Sequence, residues 1–393
     1  MILTAIIMFE AKTNVMETKN ISHYRKLFSR QMTALFLRVW QINFRKGNNL
    51  FWYKTLRNQL RAKKNRDKMA KQGLEVPPVM IFSITNRCNL NCAGCYAHAQ
   101  KRNISNELSS GRIRGLFSEA SDLGTGIILL AGGEPLMRRD VLEAAAAQDS
   151  TLFPVFTNGL LLQNGYMDLF NNNRNLIPVL SLEGDMLKTD NRRGNGVYEK
   201  VIDAATEMKK QKMFYGMSIT LNRTNFEEVM SPDFINNYYE LGCRLFFFVE
   251  YVPSGSGDIN NCLSDEQKSR MSSRLTNLRL VFPSLFIALP GDEEQYGGCL
   301  AAGRGFVHVS STGDLEPCPF APWSDVNLAS KSLVEGLQSD FLRDIRAEHS
   351  RLKESAGGCT LWENRQWTRE ILNKSRERSL GPAGEKEESR IIA

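Results

Sequence analysis

Through the middle of the chain, short apolar runs alternate with longer segments in which apolar positions recur every three or four residues. The runs are Val79–Thr85, Thr125–Leu130, Pro154–Gly159, Ile177–Leu182, Tyr215–Leu221 and Leu245–Val252. They are almost free of charge, as strands buried on both faces are. Gly111–Leu123, Asp140–Gln148 and Tyr198–Lys210 carry the helical period. Six β–α repeats in succession predict an α/β fold whose parallel sheet curls into a partial (βα)6 barrel. Val76-Pro77-Pro78 stops any preceding helix and feeds the chain into the first strand in extended form.

The flanks read differently. Phe28, Met32, Leu35, Val39 and Ile42 recur at helical spacing with Arg25, Arg30, Arg38 and Arg45 between them, and Gly47-Asn48-Asn49 breaks the run. Trp52, Leu56 and Leu60 continue the stripe into a basic end, Arg61–Lys71. After the barrel, Ser264–Leu280 is a helix opened by Ser-Asp-Glu. Phe306–Ser310, a turn at Gly313 and Leu315–Cys318 then predict a hairpin, and Ser339–Ala347 another helix. The resulting division is 1–20 loosely ordered, 21–75 a basic amphipathic helical segment and 76–258 the barrel. It continues with 259–295 a bridging helix, 296–374 a small α+β domain and 375–393 a disordered tail.

Composition changes little in this picture and charge changes more. The chain of 393 residues is 42% hydrophobic and 24% charged, as a soluble globular protein is. Its formal charge of +7 is local in origin. Between Arg25 and Lys71 stand fourteen lysines and arginines against one acid, Asp67, so the remainder is net acidic. Two expectations compete for this segment: peripheral contact with an anionic membrane surface, or helices packed on the enzyme with their charges solvated. No aromatic-plus-basic strand pattern supports nucleic acid as a partner. Met1–Phe9 is apolar but too short to span a bilayer.

Eight cysteines are present, and three lie in Cys88-Asn-Leu-Asn-Cys92-Ala-Gly-Cys95-Tyr96, just past the first strand. Thiolates select iron–sulfur clusters or zinc, and clustering of this kind suits a reducing, cytoplasmic setting better than a disulfide framework. Three thiolates leave one iron of a cubane open to a small molecule. A zinc knuckle or three unrelated core cysteines are the plainer alternatives. On this C-x3-C-x2-C-Tyr run the chain resembles the radical S-adenosylmethionine (SAM) enzymes. The resemblance implies a [4Fe–4S] cluster on Cys88, Cys92 and Cys95, with SAM chelated at the open iron beside Tyr96. Reductive cleavage would then release a 5′-deoxyadenosyl radical. It also implies an electron donor of the flavodoxin or ferredoxin kind.

Further residues extend the resemblance. Gly132-Gly133-Glu134-Pro135 resembles the family's GGE turn, which binds the amino group of SAM. Ser181 and Glu183, at the end of the fourth strand, suit ribose hydroxyls. Asp190-Asn-Arg-Arg193-Gly194-Asn-Gly196 resembles a segment of the branch that carries a C-terminal auxiliary-cluster domain, and Arg193 would hold SAM's carboxylate. Asn222 and Asn225 also match that branch. Cys299-Leu-Ala-Ala-Gly-Arg-Gly, Cys318 and Cys359 are similar to SPASM/twitch domains, in which such cysteines hold an extra [4Fe–4S] cluster. A full SPASM domain has more cysteines near its C-terminus, so the resemblance supports one auxiliary cluster. Buried structural cysteines are the other reading, and Cys262 is a candidate fourth ligand. Cys243 reads as core, His98 and His308 as local hydrogen-bonders, and Glu250 and Tyr251 as strand-edge packing ahead of substrate contact. The expected function is hydrogen abstraction from a substrate, first a peptide or protein, second a lipid-associated molecule. A SAM- and cluster-binding accessory protein without turnover is the alternative from another class.

Overall fold

The computed structural model describes residues 49–100, 104–253, 258–289, 293, 298–352 and 359–380. The expectations for residues 1–48 and 381–393 lie outside these. Helix α1 (Asn49–Lys71) precedes β1 (Val79–Thr85), α2 (Ser110–Leu123), β2 (Ile127–Gly132), α3 (Arg139–Ala146) and β3 (Phe153–Thr157). Next come α4 (Tyr166–Asn172), β4 (Leu176–Leu182), α5 (Met186–Arg193), α6 (Val197–Lys210), β5 (Gly216–Leu221), α7 (Pro232–Glu240) and β6 (Leu245–Glu250). Helix α8 (Asp265–Val281) leads to β7 (Leu285–Leu289), and β8 (Phe306–Val309) and β9 (Leu315–Glu316) form the hairpin. The chain continues through α9 (Leu333–Leu337), α10 (Asp340–Ala347) and α11 (Arg365–Leu380).

One sheet runs through all nine of these strands, in the order β7-β6-β5-β4-β3-β2-β1-β8-β9. Every neighbouring pair from β7 to β8 is parallel, and only β8 and β9 are antiparallel. This is a curled half-barrel with two departures from the sequence-based division. Of residues 259–295, expected as a bridging helix, the described ones belong to the sheet's own β–α repeats. They supply α8, opened by a Ser264–Gln267 capping box, and β7, which pairs with β6 as a further β–α–β crossover. The hairpin is not separate either, because Val79 to Phe82 on β1 pair in register with Phe306 to Val309 on β8. Arg112 on α2 strengthens the seam by donating to the carbonyls of Leu328 and Lys331, each at 2.7 Å. At the other end α11 runs on to Leu380, past the point where order was expected to end.

Alternation along the strands sorts the core into two layers. Met80, Phe82, Leu130, Val155, Leu180, Ile219 and Phe248 point outward and pack under the helices. Leu129, Ile177, Val179, Leu245, Phe247 and Leu285 point inward and form an apolar floor with Trp52 of α1. Helix α1 lies across the N-terminal ends of the strands. Gln59 donates to the Gly126 carbonyl at 2.8 Å, and Arg66 donates to that of Gly124. Trp52 closes the floor edge-to-face against Phe214, with ring centroids 5.2 Å apart. Helix α1 is therefore packed on the barrel through its inner face. The floor fixes which end of the barrel is open: the C-terminal one, where the cysteine loop stands.

Candidate functional site

The cysteine loop leaves the end of β1 and is fastened on three sides. Toward β2, Gly133 N donates to Thr85 O at 2.7 Å and Glu134 N to Arg87 O at 2.8 Å, which prolongs the β1–β2 pairing past the strands. A Cβ on Gly132 would stand 2.3 Å from Thr85 O, and one on Gly133 would stand 2.0 Å from Arg87 O. The glycines are therefore needed first to let this turn lie against the cysteine loop. Toward β3, the Asn158 amide donates to Asn89 Oδ1 at 2.7 Å. Toward α5, Ala93 N donates to Arg192 O at 2.9 Å while Arg192 Nε donates back to Ala93 O at 3.1 Å.

Glu134 is 1% exposed and its carboxylate is engaged within the protein. Oε1 accepts from Leu136 N and Thr157 Oγ, and Oε2 accepts from Asn158 N, at 2.7 to 2.9 Å. Burial pushes its pKa up against the pull of these bonds. The acid of the GGE turn thus ties β2 to β3, and the turn's backbone carbonyls are what it has left to offer a ligand's amino group. Behind the loop, Glu107 accepts from Asn86 N at 2.6 Å and from Thr85 Oγ1 at 2.9 Å.

Glu183 is the second buried acid, also 1% exposed. Its Oε1 accepts from Arg192 Nη1 at 2.5 Å and from Arg193 Nη2 at 2.6 Å, while Oε2 is buried without a partner. Arg193, expected on a ligand carboxylate, is committed here to Glu183. Arg192, overlooked in the sequence, also holds Thr220 at 2.7 Å. Both guanidiniums pull the Cys92 thiol down, although burial outweighs them and its pKa stays raised. Burial raises Cys88 as well. Ser181 lies on the inward face of β4, in register with Ser218 of β5, and is half-buried. Asn225 holds its own turn together, donating to Glu183 O and Thr220 O at 2.8 Å each.

The C-terminal cysteines converge. Cys299, Cys318 and Cys359 are all buried. The Cys359 thiol, hydrogen-bonded to Cys318, raises the latter's pKa, and Cys299 acts on it from nearby. Cys299 is raised by its burial and then by Glu293 and Cys359. Cys262 is not among them: it is buried against the Tyr251 carbonyl, near Glu250 and Lys268, which removes it as a fourth ligand. Among the described residues no three His, Cys, Asp or Glu side chains are drawn together tightly enough for a single metal ion. The two trios are identified by position and chemistry. Both fit cluster ligation: three free thiols apiece, a glycine cradle and an orphaned carboxylate oxygen beside the first trio, and mutual contact in the second.

The segments that flank Cys95 and Cys318 meet in a short seam. Tyr96 packs edge-on against Phe320 at 5.1 Å, and Gln100 donates to Pro319 O at 2.6 Å. Below it, His308 bridges Ser83 Oγ at 2.8 Å and Glu316 Oε2 at 2.7 Å, tying the hairpin to β1. All three are buried, so this is a structural clip and not a hydrolytic triad. His98 Nδ1 is buried without a hydrogen-bond partner. Cys243 is core, its thiol pushed up to about 12 by burial. Tyr251 packs as expected of a strand-edge residue: a Cβ on Gly94, between Cys92 and Cys95, would come within 3.0 Å of its ring.

Arg192→Gln should separate charge from geometry. Removing one partner of a largely buried ion pair costs about 3–5 kcal/mol; retention of Arg193 puts the expected loss at the low end. The midpoint potential of a cluster on Cys92 should fall as the positive charge leaves. Arg192→Lys should restore the potential but not the stability, because lysine cannot reach three acceptors. Redox titration and thermal melts check both, and equal potentials in all three proteins would refute the assignment.

Residues 82–231 match the model of the Radical SAM superfamily. An AdoMet-dependent heme synthase of Methanosarcina barkeri is 26% identical over 312 residues, covering 72% of this chain and 88% of that one. A GTP 3′,8-cyclase of Clostridium perfringens is 25% identical over 301 residues, covering 70% and 90%. Among solved structures, Streptococcus suis SuiB bound to precursor peptide SuiA superposes with a TM-score of 0.58 at 18% identity, covering 75% of this chain and 71% of that one. Family match, relatives and fold agree with the cysteine loop and its cradle: residues 82–231 are a radical SAM domain, and the chain is a [4Fe–4S] enzyme that acts on S-adenosylmethionine.

Proposed function

We propose that this enzyme uses SAM cleavage to abstract hydrogen from a neutral, apolar part of a peptide-like substrate held in the barrel, with one auxiliary cluster on Cys299, Cys318 and Cys359. The observation that carries this is the barrel's inner face. From Val79 on β1 to Leu289 on β7, every inward position is apolar, glycine, serine or threonine. Ala131, Ser181, Ser218 and Val249 stand above the apolar floor, half-buried. Heme carries carboxylates and GTP carries phosphates, and burying such anions requires paired cations. The inward face of β1–β7 supplies none, so a neutral group suits it better. Peptide binding on the same fold, in SuiB, supports the class.

When bound, the cluster and SAM supply the reducing electron's entry point and the radical. The chain's own residues do the positioning. Gly133 and Glu134 hold the loop to β2, Arg192 holds it to α5, and Tyr96 and Tyr251 close two of its sides. A flavodoxin- or ferredoxin-class protein in a reducing, cytoplasmic compartment is the proposed donor. Among the described residues no helix is long and apolar enough to cross a membrane.

Anaerobically reconstituted enzyme, given dithionite and SAM, should form 5′-deoxyadenosine faster with apolar peptides than with GTP or a porphyrin carboxylate. The opposite order would sink the substrate class. In the same preparations Cys299→Ala/Cys318→Ala should lose about four irons, and unchanged iron would remove the auxiliary cluster.

A further inference from the structure

Helix α1 has an outer face that the barrel does not use. Its inner face is accounted for by Trp52, Thr55 and Ala62, all buried, and by the bonds of Gln59 and Arg66 to the strand ends. On the outside, Arg57, Arg61, Lys64, Lys68 and Lys71 follow one another three or four residues apart and form a continuous exposed stripe. Tyr53 and Leu60 sit within it, 64% and 50% exposed. Asp67, the helix's only acid, pairs with Lys63, and Lys54 pairs with Asp149. None of the five stripe cations has an ion pair among the described residues.

We propose that this stripe docks on an anionic lipid surface. Cations interleaved with an exposed aromatic and a leucine suit the headgroup boundary, where apolar side chains enter and Lys/Arg meet phosphate. The chain that leads into α1 continues the chemistry: residues 25–48 hold six lysines and arginines, no acid, and apolar positions at helical spacing. Position argues against an acidic electron donor as the occupant. The stripe lies at the floor end of the barrel, and strands of five to seven residues, about 3.3 Å each, set it roughly 20 Å from the cysteine loop. A bilayer at that end leaves the open mouth facing water.

The test uses full-length reconstituted enzyme and co-sedimentation with phosphatidylcholine vesicles, with and without phosphatidylglycerol. The proposal expects binding to the anionic vesicles alone, weakening as salt rises. Each cation near such a surface is worth about fivefold in partitioning, so Arg57→Glu/Arg61→Glu/Lys64→Glu should lower binding by more than about 100-fold. Iron content and 5′-deoxyadenosine formation should stay unchanged. If that variant misfolds, Lys64→Glu/Lys68→Glu/Lys71→Glu at the exposed end serves in its place. Failure of the parent enzyme to bind, equal binding to neutral vesicles, undiminished binding by the reversal variants, or preference for duplex DNA would each overturn the proposal.

Discussion

Cys92→Ala should remove the iron of the SAM-site cluster and reduce 5′-deoxyadenosine formation to background. Cys88, Cys92 and Cys95 stand on one loop, and the other five cysteines belong to other segments of the fold. A cubane left with two protein thiolates has two unprotected irons, and ligand loss of that kind ends binding. The size of the effect follows from the chemistry: uncatalysed, SAM does not yield this radical, so activity without the cluster has no alternative route. Iron and sulfide analysis, the visible absorption of the reconstituted protein and product chromatography together check it. Because thiols at 299, 318 and 359 form a separate buried group, a fraction of the iron should survive in Cys92→Ala. Retention of full iron with full product formation would refute the assignment of the loop.

Much of the fold could be read from the chain because parallel strands announce themselves. Buried on both faces, they must be apolar throughout, and six of the seven in the barrel stand out for that reason. The seventh was hidden by its neighbours. Leu285–Leu289 follows Phe282-Pro283-Ser284, a break and an apolar run like those before it, but it comes after the longest helix of the barrel and before a cysteine that looks like the start of a new domain. The pairing of β8 with β1 could not be read at all. Nothing local in Phe306–Val309 says which strand, more than 200 residues earlier, will be its partner.

The site divides along similar lines. Residues chosen by spacing are brought together: the GGE turn lies against the first cysteine trio, and the second trio is buried in mutual contact. Those that act through one side chain do not announce themselves. Arg192 and Arg193 are neighbours in sequence with the same charge, and motif matching selected the second. In the fold it is Arg192 that grips Ala93, Glu183 and Thr220 together. Asn158, Glu107 and Tyr251 each brace the cysteine loop from a different element, and their identity as supports depends on a fold that brings those elements together. A residue whose task is to fasten a loop carries no spacing of its own.

Gly133→Ala is the substitution in which this fastening can be measured. The added methyl would lie 2.0 Å from Arg87 O and 2.6 Å from its carbonyl carbon, with Asn86 C at 2.9 Å. All three are backbone atoms, so no rotamer change can clear the space. Either the turn or the cysteine loop must move, and the two hydrogen bonds between them, at 2.7 and 2.8 Å, must lengthen. Overpacking of this kind costs about 1–3 kcal/mol, a few degrees in thermal midpoint. The functional loss should be much larger, since displacement of about 1 Å at reacting groups costs on the order of 100-fold in rate, and Cys88 follows Arg87 directly. Expected, then, is a protein that folds, melts slightly early and forms 5′-deoxyadenosine at least about 100-fold more slowly. Gly111→Ala is the control: its nearest contact is Ser109 Oγ at 3.9 Å, and it should be silent in both assays. A Gly133→Ala enzyme with parental turnover would show that the turn is not what holds the cysteine loop in place.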